Sequence, residues 1–103
     1  MKTHYVVSIS GCELTEEYLR ECMITYHLPH YMLSGMYLYL HHQIPPGSFL
    51  LAILSNNFID AGQLADSYNA RCLEEWGTFL VNELPPACYG SYENVGKWLT
   101  RDS

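Results

Sequence analysis

The spacing of helix breakers limits this chain more than any other feature. Gly11, the Leu28-Pro29 step, Pro45-Pro46-Gly47, Asn56-Asn57, Pro85-Pro86 and Gly90 recur along the 103 residues. Proline fixes φ and lacks a backbone donor, while glycine and asparagine accept left-handed backbone, so each break ends regular structure. Only the first piece has strand-like alternation; the others carry apolar residues at helical spacing. The reading is an all-α fold, about five helices in a compact bundle with one short N-terminal strand or extended arm. A chain of this length has room for one core. It is read as a single domain over 1-103, with an extended segment over 1-12 and a helical bundle over 13-101.

Residues 4 to 9 alternate Tyr5, Val7 and Ile9 with polar neighbours, which predicts a strand. The sequence offers it no clear partner strand, so it pairs with another copy of the chain or lies over the helices as an arm. Thr15 is placed to cap the next helix, with Glu16 and Glu17 at its positive end and Leu14 stapling onto Leu19. Pro29 closes that helix and opens another towards His42, whose Tyr31 to Leu40 stretch is apolar nearly all round. Such a helix is central or shared with a partner chain, which predicts a homo-oligomer. Phe49, Leu50, Ile53 and Leu54 form one face of a short helix after Pro46. Asp60 and Gln63 have capping-box spacing and predict one long helix carrying Leu64, Ala65, Tyr68, Cys72, Trp76, Phe79 and Leu80 inward. Gly77 within it predicts a kink or close packing. A last helix starts at Ser91, with Tyr92, Val95 and Leu99 facing the core.

Apolar residues make up 49% and charged residues 16%, enough hydrophobic surface to offset chain entropy, so disorder is excluded. Eleven acidic against five basic residues give a net charge of -6, which counts against direct nucleic-acid binding. No stretch has the pattern of a signal peptide, and Met32 to Leu40 is far too short for a membrane span. The expectation is a cytoplasmic protein without membrane contact. Cys12, Cys22, Cys72 and Cys88 lack C-x-x-C spacing and read as free, buried thiols.

Chemistry is sparse. His27 and His30 straddle the Pro29 break, and His41 and His42 are adjacent, so neither pair offers converging metal ligands. No metal, cofactor or catalytic residue is assigned, and the chain is read as a non-enzyme. Nine tyrosines and two tryptophans fill a small core or line an aromatic pocket or interface. Ser48, Asn56, Asn57, Asp66 and Asn69 surround the turn between the third and fourth predicted helices. They are either caps and internally satisfied polar groups or the contacts of a ligand. Gly47-Ser48 and Gly90-Ser91 each set a hydroxyl at a helix start, where anions also bind.

Residues 29 to 98 carry P-H-Y-M, Y-L-H-H-Q-I-P-P-G-S-F-L-x-A-I-L-S-N-N, A-x-x-x-A-D-x-x-N, F-L-V-N-E-L-P and G-S-x-E-x-V-x-x-W. This pattern resembles a family of small phage and prophage proteins; Asn57 stands where that family has an aspartate. The resemblance implies an accessory factor of the host-cell cytoplasm that binds rather than catalyses and antagonises host antiviral defence. One expectation is sequestration of a nucleotide-type signalling molecule; the alternative is direct docking onto a host defence protein. The expected contacts are Ser48, Asn56, Asn57, Asp66 and Asn69, with Tyr37 or Tyr39 as stacking surfaces.

Overall fold

Ser48–Leu54, the seven-residue helix α3, is the element around which the others are arranged. Its register follows from Gly47, whose extended backbone precedes the first turn, and it buries Phe49, Leu50, Ala52, Ile53 and Leu54. Each fully buried leucine or phenylalanine contributes ~1.5–3 kcal/mol of transfer free energy before chain entropy is set against it. The structure is a computed structural model that describes the backbone of residues 8, 9 and 12–101 and the side chains of residues 14–101.

The described residues form seven α-helices and two 3-10 turns, more and shorter helices than the breaks alone predict. Helix α1 is Glu16–Thr25, α2 is Leu33–His42, α4 is Phe58–Leu64 and α5 is Ser67–Ala70. Helix α6 is Leu73–Glu83 and α7 is Tyr92–Leu99, with 3-10 turns at His30–Met32 and Pro86–Cys88. Helix α3 packs on α4, α6 and α7, while α1 packs on α2 and on the turn at His30–Met32.

Several local predictions hold. Thr15 accepts the backbone N–H of Tyr18 at 3.0 Å and Ser91 that of Asn94 at 3.0 Å, so both cap their helices. Helix α1 ends ahead of Pro29, through His27 in the left-handed region (φ 60). Asn56 (φ 64) makes the same kind of exit from α3.

The long fourth helix is corrected. Its cap is Asn57, not Asp60: the side-chain Oδ1 of Asn57 accepts the N–H of Asp60 at 3.1 Å. The run then breaks at Ala65-Asp66, because Asp66 caps the separate turn α5 by accepting the N–H of Asn69 at 2.8 Å. A strong local cap thus ends a stripe that periodicity alone carries through. Leu64 and Tyr68, placed inward by that stripe, are half exposed, and so is Tyr92. Gly77 lies within the unbroken helix α6, and a Cβ there would make only an ordinary contact, 3.7 Å from Cζ of Phe58.

Ser8–Ile9 (β1) pairs antiparallel with Cys12–Glu13 (β2). The rest of the predicted strand, residues 4 to 7, lies outside the described residues. Helix α2 buries Leu33, Met36, Tyr39 and Leu40 and packs on α1 and the His30–Met32 turn. The C-terminal segment clamps its far end. Gln43 donates its Nε2–H to the carbonyls of Leu99 (2.9 Å) and Arg101 (2.6 Å), and Arg101 donates to the carbonyl of Leu40 at 2.8 Å. The guanidinium of Arg101 also lies 3.7 Å from the centre of the Trp98 ring. Among the described residues no helix is long and apolar enough to cross a membrane.

Candidate functional site

Two cavities open between these elements, and the predicted contact residues divide between them and the interior. The first, of about 400 Å³, lies where the turn His30–Met32, the start of α3 and the α4–α5 junction meet. It brings together Ser48, Asp66 and Asn69 with Tyr31, Phe49 and Leu64. Tyr31 donates its hydroxyl to Oδ2 of Asp66, closing a bridge between two elements far apart in sequence. That bond, together with the backbone N–H of Asn69, holds the Asp66 carboxyl below its ordinary value. The same carboxylate pushes the Tyr31 phenol up to about 12. Asp66 therefore carries full negative charge at neutral pH, at an exposed position.

Asn69 faces the other way. It is buried, and its Oδ1 accepts the indole N–H of the fully buried Trp76 at 2.9 Å. Trp76 is flanked edge-on by Phe49 and Phe79, with ring centres 6.1 and 5.9 Å away. Asn69 is thus one wall of the cavity and an internal partner of the core.

The second cavity, about 680 Å³, lies between the α3–α4 turn, α6 and the segment after Pro86–Cys88. Asn56 is the only predicted contact residue on its lining, which includes Ile53, Phe58, Leu80, Val81 and Tyr89, with Glu74 the one charged residue. Its far side is tied down where the N–H of Gly90 donates to the carbonyl of Leu54 at 2.7 Å.

The remaining predicted contacts are elsewhere. Asn57 serves the start of α4 and donates its Nδ2–H to Asp60 (2.9 Å) and to the Tyr92 hydroxyl (3.1 Å). Tyr37 stacks at 4.7 Å from His41 and reaches His42 at 5.6 Å. Tyr39 is fully buried and donates its hydroxyl to the carbonyl of Cys88 at 2.7 Å, so its ring offers no stacking surface. Tyr31, Leu64, Phe58, Glu74, Val81 and Tyr89 are among the lining residues that the site reading passed over. Tyr31 carried a signal in its place just after the Leu28-Pro29 break; exposed Leu64 carried none, since it continues a helical apolar stripe.

A third polar cluster joins α1 to α6. Tyr18 and Tyr26 donate to the two carboxylate oxygens of Glu83 at 2.6 and 2.5 Å, and both phenols are pushed up by that carboxylate. Cys22 lies between them on α1, buried, its thiol raised to about 11 by burial and then by the charge of Glu83. Burial likewise raises Cys88 to about 12 and raises Cys72. These thiols stay protonated at neutral pH, which disfavours thiolate nucleophiles. Among the described residues no cluster of three or more His, Cys, Asp or Glu could hold a metal ion.

Comparison of the chain with protein-family models, with curated proteins and with solved structures gives no match.

Proposed function

We propose that this chain is a non-catalytic phage accessory protein that antagonises host antiviral defence by docking onto a basic segment of a host protein. The observation that carries the reading is the face around the smaller cavity. Tyr31 and Leu64 line it 59% and 50% exposed beside the ionised Asp66, and Tyr68, 46% exposed, follows that carboxylate two residues on in α5. Aromatic residues and an apolar anchor around a depression make a typical binding hot spot. The carboxylate supplies a partner for an incoming lysine or arginine, and the net charge of -6 favours approach of a basic surface.

Sequestration of a nucleotide-type signal is supported less well. Phosphates need cations or a cluster of free donors, and among the described residues neither cavity is lined by lysine or arginine. Asp66 and Glu74 would instead repel them.

The test is affinity capture from host lysate, followed by titration with the identified partner. The reading expects one stoichiometric host protein whose binding is lost in Leu64→Glu and Tyr68→Ala variants that keep their helical circular dichroism. Calorimetric heat with a cyclic dinucleotide or an ADP-ribose derivative, abolished by Ser48→Ala, would overturn it.

A further inference from the structure

We infer that the larger cavity is a second binding site, built for a hydrophobic cation such as an arylalkylamine. This stands independently of the docking face, which lies around the other cavity and shares no lining residue with it. At about 680 Å³ it is within the size range of small-molecule sites, roughly 300–1,000 Å³.

The walls define the body of the ligand. Ile53 and Leu80 form the buried side, and the rings of Phe58 and Tyr89 line the same space. Gly77 lines the space on α6 beside the Phe58 ring. These surfaces accept a flat apolar group.

The charge of the ligand follows from the rim. Glu74 contributes the only ionisable carboxylate, and among the described residues it makes neither of the two ion pairs. Thr78 has its hydroxyl turned to the backbone, donating to the carbonyl of Glu74 at 3.1 Å, so it leaves the carboxylate free of a competing donor. An ammonium group thus finds a carboxylate of opposite charge, a carboxylate ligand finds repulsion, and an alcohol gains at most a hydrogen bond.

Three ligands of one shape separate these cases: tryptamine, tryptophol and indole-3-propionate, each titrated into the isotope-labelled protein while amide shifts are followed by NMR. The expected result is shifts at Gly77, Val81 and Gly90, with tryptamine bound about threefold more tightly than tryptophol, the scale of one solvent-exposed ion pair. Indole-3-propionate binds most weakly, and in Glu74→Gln the advantage of tryptamine disappears. Glu74 is exposed, so this variant keeps the fold. The inference is overturned by shifts at none of those amides, by shifts confined to Ser48, Asp66 and Asn69, or by an amine preference that survives in Glu74→Gln or is missing from the wild type.

Discussion

Replacing Asn69 with leucine separates the two roles that its position suggests. The residue is 3% exposed and Trp76 is 0% exposed, so water cannot substitute for the amide oxygen when it is removed. The indole N–H, now bonded at 2.9 Å, would be left buried and unpaired. Orphaning a buried neutral donor costs ~1–3 kcal/mol, and in a domain of this size each kcal/mol lowers Tm by about 4–8 °C. Asn69→Leu should therefore lower Tm by roughly 4–24 °C, with little change in the urea m-value. The backbone N–H of residue 69 still donates to Asp66, so the α5 cap survives the substitution.

The assay is a double-mutant cycle in urea, read by far-ultraviolet circular dichroism. Trp76→Phe removes the donor, so Asn69→Leu in that background orphans nothing and should cost about 1 kcal/mol less than in the wild type. If Asn69→Leu costs the same with and without the indole, the hydrogen bond is not what makes the residue necessary. If it is neutral for stability yet abolishes partner binding, Asn69 is a ligand contact, and its burial was misread as internal satisfaction.

Three further outcomes follow from the same structure. Gly90 has φ +112 and a Cβ there would meet Asn94 Nδ2 at 3.4 Å, so Gly90→Ala should cost at least ~1–2 kcal/mol in urea unfolding, and an unchanged midpoint would refute the backbone requirement. Tyr18, Tyr26 and Tyr31 hold their protons above the ordinary tyrosine value of 10.0, whereas the unfolded chain loses them there. Their contribution to stability is complete below pH ~10 and declines as pH rises further. Absorbance titration at alkaline pH should show these late phenols, with Glu83→Gln bringing two of them back to the normal range and Asp66→Asn one; a titration unchanged by both variants would refute the carboxylate contacts. Cys22, Cys72 and Cys88 should react slowly with a disulfide reagent in the native protein and fast in denaturant, because burial both shields the sulfur and suppresses the thiolate.

Legibility in the sequence tracks the range of the interaction concerned. Thr15, Ser91, Pro29 and Asn56 act within a few residues of themselves, so helix starts and stops at those points could be read directly. The inward face of α3 was equally plain, since five of its seven residues are apolar and buried. The fourth predicted helix failed where two local signals compete. Leu64, Ala65 and Tyr68 continue a helical stripe, but Asp66 is also a strong cap, and its bond to the N–H of Asn69 starts a new turn. The site residues needed long-range information. Asp66 meets Tyr31 across 35 positions and Tyr39 meets Cys88 across 49, and no spacing rule reports such meetings. Residue type alone also could not tell a cap from a contact: Asn56, Asn57 and Asn69 are alike in the sequence, yet one lines a cavity, one caps a helix and one supports a tryptophan.

Charge, rather than shape, is what distinguishes the ligands these surfaces could take. Both cavities combine apolar walls with a single carboxylate, Asp66 in one and Glu74 in the other. Tyr31 and the N–H of Asn69 stabilise the first carboxylate as the anion, so it stays charged well below neutral pH. The starts of α4, α5 and α7 are already occupied by their own caps at Asn57, Asp66 and Ser91, and the start of α3 at Gly47-Ser48, which has no side-chain cap, shares its cavity with the Asp66 carboxylate. A basic partner meets none of these obstacles and gains from the overall negative field. Its association rate should therefore fall as salt is raised from about 0.01 M to about 1 M, while dissociation, governed by the apolar contacts of Leu64 and Tyr31, changes less. Stopped-flow measurement of both rates would decide the matter: an association rate that does not respond to salt would mean that the acidity of the chain has no part in recognition.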